Sequence, residues 1–323
     1  MKPIAQSLPV ILVLVALSTL AAIAEPRADQ GMVARIREEG FQRSQAMDIL
    51  GYMADVLGPR LTLSEGMKRA QAWARLKMQQ IGLENVVIEP FMDYGVSWDN
   101  EYVSLHMIEP VYQSITGYPL AHTPSTTGKL VLPVIAAEVR TKKDLHQYRG
   151  KLTGAAVLST PPAGIDLEAL AQGTPRRSAD ELTKLGEAVV PKPQRRPPPT
   201  APVNPDLLKP EEIAEFYRAE GAAAILQTGG GRIGSVPGFA RPGTKTDKWS
   251  REKSLESLPI LAITPEHYNR MYRIVKRGIK VKVEIEVRNR LGEKVEQAAN
   301  VIGEIPGTDR RDEIVMIGAH FDT

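Results

Sequence analysis

The chain has 323 residues, 42% of them hydrophobic, a formal net charge of +3 and no cysteine. That length can bury a sizeable core and suits two domains. Without cysteine, disulfides, thiolate metal sites and a cysteine nucleophile are excluded. Basic and acidic residues are interspersed rather than clustered, which argues against nucleic acid as the main partner.

The first 24 residues have the build of a targeting segment. Lys2 supplies the positive start, Pro9 to Ala22 is almost wholly apolar, and Ala22-Ile23-Ala24 fits a small-x-small cleavage site before Glu25. The apolar run is shorter than the ~20 residues of a spanning helix. The expectation is therefore an exported protein, periplasmic or extracellular, with no stable membrane anchor.

Residues 25–100 predict a helical block. Gly31 to Phe41 is a charged helical stretch with Val33 and Ile36 as its apolar contacts. Ser44 can cap the next helix, in which Met47, Leu50, Ala54 and Leu57 follow a 3–4 spacing. Gly58-Pro59 stops it. A third helix starts near Ser64, with Met67, Ala70, Ala74, Met78 and Ile81 along one stripe, and ends at Gly82. Glu84 to Phe91 then reads as a strand. This block is too small to stand alone, so its stripe is expected to pack on the sheet that resumes near residue 296.

Residues 101–290 change character, with short strands, many Gly and Pro, and a few helices. Tyr102 to Ile108, Lys129 to Ile135 and Lys151 to Ser159 are strand candidates. Pro210 to Glu220 is an amphipathic helix closed by Gly221, and an apolar strand, Ala222 to Gln227, follows. Thr264-Pro265 opens a helix that Gly278 closes. Lys280 to Val287 alternates: Val281, Val283, Ile285 and Val287 point inward, while Lys282, Glu284 and Glu286 face water. Such a β-rich block between two α/β pieces reads as an inserted domain. Pro191 to Pro202 is expected to be an extended, solvated loop.

Most candidate chemistry in this region reads as structural. His106, His122, His146 and His267 lack a second ligand at metal spacing. Gly229-Gly230-Gly231 lacks the residues of a phosphate cradle, and Ser235 is not in a nucleophile elbow. The exception is the terminal stretch 291–323. Ile314, Val315, Met316 and Ile317 form an apolar run expected to be a strand buried on both faces of a parallel sheet. Beyond its carboxyl end, where α/β sheets place their chemistry, come His320 and Asp322. An imidazole there can bind zinc, and a carboxylate two residues on can orient it.

Asn300 to Gly307 followed by Glu313 to Asp322 resembles the entry to the catalytic domain of peptidase family M28, the co-catalytic zinc exopeptidases. Leu57-Gly-Pro-Arg-Leu61, the Met67–Ile81 helix and Gly82 to Pro90 resemble the N-terminal block of family members that carry a protease-associated insert. Tyr102 to Arg288 resembles that insert, best at Gly221 to Leu226 and Leu258 to Thr264. The resemblance implies a mixed α/β sheet flanked by helices, with a β-rich protease-associated domain inserted. It implies two Zn2+ ions at the strand ends and hydrolysis of peptide bonds near a free terminus, on a peptide or dipeptide substrate, with homodimerisation left open. His320 would be a metal ligand and Asp322 the catalytic-site carboxylate that orients it. The family's bridging Asp, Glu base and remaining ligands would lie downstream, so this chain is expected to be a truncated, inactive portion. The rival reading is a non-catalytic binding protein built on the same scaffold.

Overall fold

A computed structural model describes residues 29–165, 168, 177–187, 204–228, 233–236, 238–245, 247–308 and 310–323. The signal-like start, the proline-rich stretch 191–202 and Gly229 to Gly231 lie outside the described residues. The chain forms two compact units, Met1–Gly58 and Pro59–Thr323.

In the first unit, α1 (Gln30–Gln42) is capped by Asp29, whose carboxylate accepts from Gly31 and Met32 N–H. α2 (Ala46–Gly51) runs directly into a π-helical turn, Tyr52–Leu57. Ser44 sits one position before the cap residue Gln45, yet its hydroxyl accepts from Ala46 N–H. Gly58 ends the helix at φ 66°, a conformation that glycine adopts without steric cost.

In the second unit, α3 (Glu65–Gln80) starts at Ser64, whose hydroxyl accepts from Met67 N–H. Met67, Ala70 and Ala74 of the expected stripe are buried, whereas Ile81, past the last helical turn, is exposed. β1 (Glu84–Gly95) pairs antiparallel with β10 (Glu296–Glu304), and Gln71 of α3 donates to the Ala299 carbonyl. The helical stripe thus meets the returning sheet, as the pattern of residues 64–90 predicts.

The remaining strands form one eight-stranded sheet. They are β2 (Trp98–Glu109), β3 (Gln113–Ser114), β4 (Gly117–Pro119), β5 (Leu130–Ala136), β6 (Ala156–Leu158), β7 (Ala224–Thr228), β8 (Ile260–Ile263) and β9 (Lys282–Leu291). Their order is β3-β2-β9-β5-β6-β7-β8-β4. The run β5-β6-β7-β8 is parallel and the outer pairings are antiparallel. Parallel strands need crossover connections. α4 (Lys142–Tyr148), α6 (Pro210–Ala219) and α7 (Arg251–Glu256) lie in those crossovers, and α8 (Pro265–Lys276) follows β8. A further helix, α5 (Ala179–Glu187), precedes α6.

Both faces of this sheet are covered. One core gathers Met107, Leu132, Leu158, Leu226, Ile263 and Ile285 under Tyr268 and Met271 of α8. The other packs Val157, Ile225 and Ala262 against Tyr217 of α6, whose hydroxyl donates to the Ala137 carbonyl. Each such large apolar side chain, fully buried, contributes roughly 1.5–3 kcal/mol. The helix-flanked mixed sheet is the expected fold class. The strands buried on both faces are β6, β7 and β8, however, not the terminal run.

A two-stranded ribbon joins the two sheets. Only Val96 and Ser97 separate β1 from β2. The pairings Gly95↔Glu296 and Trp98↔Leu291 continue one ladder into the next, with Gly292 N–H donating to the Ser97 carbonyl.

Candidate functional site

The terminal stretch does not form the expected strand. Residues 314–317 have no regular structure, and Val315 and Ile317 are each 95% exposed. The physical reason lies in the sheet. A strand needs a ladder on at least one side, and β1 and β10 form a sheet of two, with no described strand beside residues 314–317. His320 therefore does not stand at the mouth of a buried sheet among the described residues. What remains is local geometry.

That geometry is specific. His320 Nδ1 lies 2.9 Å from Asp322 Oδ1, with the imidazole 96% and the carboxylate 45% exposed. An ionised carboxylate only accepts, so this bond needs a proton on Nδ1, and in the neutral imidazole that tautomer leaves the Nε2 lone pair free. On either side of Asp322 the backbone is held by Arg60, itself buried. Arg60 Nε donates to the Phe321 carbonyl at 3.0 Å, and the guanidinium stands 5.7 Å from the Phe321 ring centre. Thr323 N–H donates to the Arg60 carbonyl, and Arg60 N–H donates to Thr323 Oγ1.

Arg60 sits on a constrained turn. Leu63 adopts φ 69°, Ser64 N–H donates to the Leu61 carbonyl, and a Cβ at Gly66 would stand 2.4 Å from the Pro59 carbonyl oxygen. Tyr94, at the end of β1, completes the surroundings. Its phenol is raised above the usual range by burial, opposed by a hydrogen bond with Thr62 and reinforced by the Asp322 charge. The Tyr94 ring stacks on Trp249 at 5.4 Å, and Trp249 packs on buried His122.

Two of the other histidines have hydrogen-bond partners in the fold. His267 Nδ1 accepts from Thr116 N–H, and His106 lies between the Ser104 and Tyr112 hydroxyls. Among the described residues, no three of His, Asp and Glu are placed to hold a metal ion together. A catalytic zinc takes about three protein ligands, so the residues described here do not make such a site. His320 offers one nitrogen and Asp322 a carboxylate already engaged with it.

Sequence reading names His320 and Asp322, whose side chains lie 2.9 Å apart, and does not name Arg60, Thr62, Tyr94 or Trp249. Arg60 lay within the Leu57-Gly-Pro-Arg-Leu61 stretch, yet nothing local signals a contact made 261 positions away.

No family model matches the chain. Taken as a whole, the described chain shares its fold with an M28 peptidase structure. A solved structure described as a peptidase M28 precursor from Shewanella amazonensis SB2B superposes with a TM-score of 0.54 at 22% identity, covering 90% of this chain and 57% of that one. Carboxypeptidase Q of Bos taurus is 24% identical over 314 residues, covering 94% of this chain and 56% of that protein. The Homo sapiens protein of the same name is 23% identical over 316 residues, with the same coverage. Fold and sequence together make this chain similar to carboxypeptidase Q and to an M28 peptidase. The chain spans a little over half the length of the curated relatives it matches. No helix among the described residues is long and apolar enough to cross a membrane.

Proposed function

We propose that this chain is the N-terminal portion of an exported, zinc-dependent exopeptidase of the aminopeptidase or dipeptidase type, acting on peptide bonds near a free terminus. The observation that carries the reading is the His320–Asp322 pair, 2.9 Å apart, within a chain similar to carboxypeptidase Q over 94% of its length. In this reading His320 is a zinc ligand through Nε2, and Asp322 holds the ring in the tautomer that leaves Nε2 bare. The further ligands of two zinc ions and the general base come from sequence beyond this chain. The eight-stranded sheet is the protease-associated insert, and residues 1–24 are a signal peptide that directs the protein to the periplasm or the exterior.

Two measurements test this. In a longer protein that contains this chain, a chelator should abolish hydrolysis of short peptides and added zinc should restore it. Chelator-resistant hydrolysis would sink the zinc reading. The 323-residue chain by itself should show no zinc-dependent turnover, and any turnover lost in H320A would contradict the claim that the other ligands lie elsewhere. For export, the mature protein should begin at Glu25, and an intact Met1 on secreted material would overturn that part.

A further inference from the structure

Arg60 grips the chain on both sides of Asp322. Its side chain holds Phe321 by carbonyl and ring, and its backbone holds Thr323 through two hydrogen bonds. Arg60 as a residue is 7% exposed, and its rigid planar fork loses little freedom when it binds. The loop beneath it is stiff, because Pro59 fixes one backbone angle and α3 packs close to the Pro59 carbonyl. Asp322 is thereby fixed in place between two clamped neighbours. His320 is in the opposite situation. Its ring is almost wholly in solvent, and Asp322 is what restrains it.

We propose that Arg60 is the positioning residue of the His320–Asp322 pair. By clamping Phe321 and Thr323 it sets the Asp322 carboxylate where it accepts from His320 Nδ1–H, and so sets the tautomer of the neutral ring. Arg60 touches neither substrate nor metal and acts through Asp322. The importance of Nε2 rests on the proposed role of His320 as a ligand, whereas the clamp itself does not.

The test is nuclear magnetic resonance on the 323-residue chain at a pH where the imidazole is neutral. It reads the nitrogen shifts of His320, which report the tautomer, and the backbone order parameters of residues 320–323. In the wild type the Nδ1–H form should dominate and Phe321 to Thr323 should be ordered. R60A should return His320 to the Nε2–H preference of free histidine and drop the order parameters of residues 321–323 below about 0.6. R60K should recover part of both effects, since an ammonium can sit over the Phe321 ring but cannot reproduce the planar Nε–H. T323V, which deletes only the acceptor for Arg60 N–H at an exposed position, should shift both readouts in the same direction by less.

Unchanged tautomer and order in R60A, or an R60K indistinguishable from R60A, would overturn the proposal. Adding zinc to the same samples keeps the two ideas apart. A His320 resonance that ignores zinc while R60A still changes the tautomer counts against the ligand reading and for the clamp.

Discussion

His122 lies face-tilted against Trp249, ring centres 5.0 Å apart, and is 1% exposed with no hydrogen-bond partner at Nδ1. Burial, reinforced by the Arg241 cation and opposed by Asp247, lowers its pKa to about 4. A histidine whose folded pKa is depressed binds fewer protons folded than unfolded. Its contribution is therefore complete above the unfolded value near 6.5 and is lost as pH falls from there towards about 4. At roughly 1.4 kcal/mol per unit, the loss amounts to about 3 kcal/mol. Urea unfolding at pH 7 and pH 4.5 should show this slope, and H122N, which tolerates the residue's φ of 61°, should flatten it. An equal slope in the variant would place the acid sensitivity elsewhere.

The Arg241–Asp247 pair beside it is a buried ion pair, 2.7 Å long, with Arg241 also reaching the Ser254 hydroxyl and the Pro242 carbonyl. Removing one partner of such a pair leaves a charge stranded away from water. D247A should cost about 3–5 kcal/mol in chemical denaturation. A loss below about 1 kcal/mol would mean that solvent reaches Arg241 more freely than its burial indicates.

Gly95 has no side chain because Trp249 occupies the space. A Cβ there would stand 2.5 Å from Trp249 Cβ and 2.9 Å from the Lys248 carbonyl oxygen, at a backbone φ of 154°. G95A should destabilise the protein by about 1–3 kcal/mol and change Trp249 fluorescence as its stacking on Tyr94 is disturbed. Unchanged stability and emission would contradict the close approach.

Alternation along β9 gives a paired test. Ile285 is fully buried between Leu105 of β2 and Leu130 of β5, while Glu284 faces outward toward Lys129. I285A should cost about 2–5 kcal/mol. E284A, losing an exposed ion pair, should cost less than about 1 kcal/mol. Similar losses at both positions would mean that the register is wrong.

Features set by near neighbours in sequence were legible. The stripe of α3, the proline-first start of α8, the closing Gly58 and the two-residue period of β9 all appear where their patterns place them. The terminal run was not legible, because apolar content fixes what a segment would do beside other strands, not whether those strands are present. Residues 314–317 carry the composition of a buried strand and stand in water. At the site, His320 and Asp322 were readable because a single residue, Phe321, separates them. Arg60 and the Tyr94–Trp249–His122 stack were not, since each depends on loops brought together by distant parts of the chain.

The ribbon that carries β1 into β2 and β9 into β10 makes the eight-stranded sheet a graft on a double stalk. Its points of departure and return, Gly95 and Glu296, face each other across a single rung. A short turn joining those two residues would close an ordinary hairpin. Everything above the rung thus leaves and rejoins the β1–β10 ladder at one place, with Trp249 on Tyr94 and Asp99 on the Glu65 N–H as further ties across it.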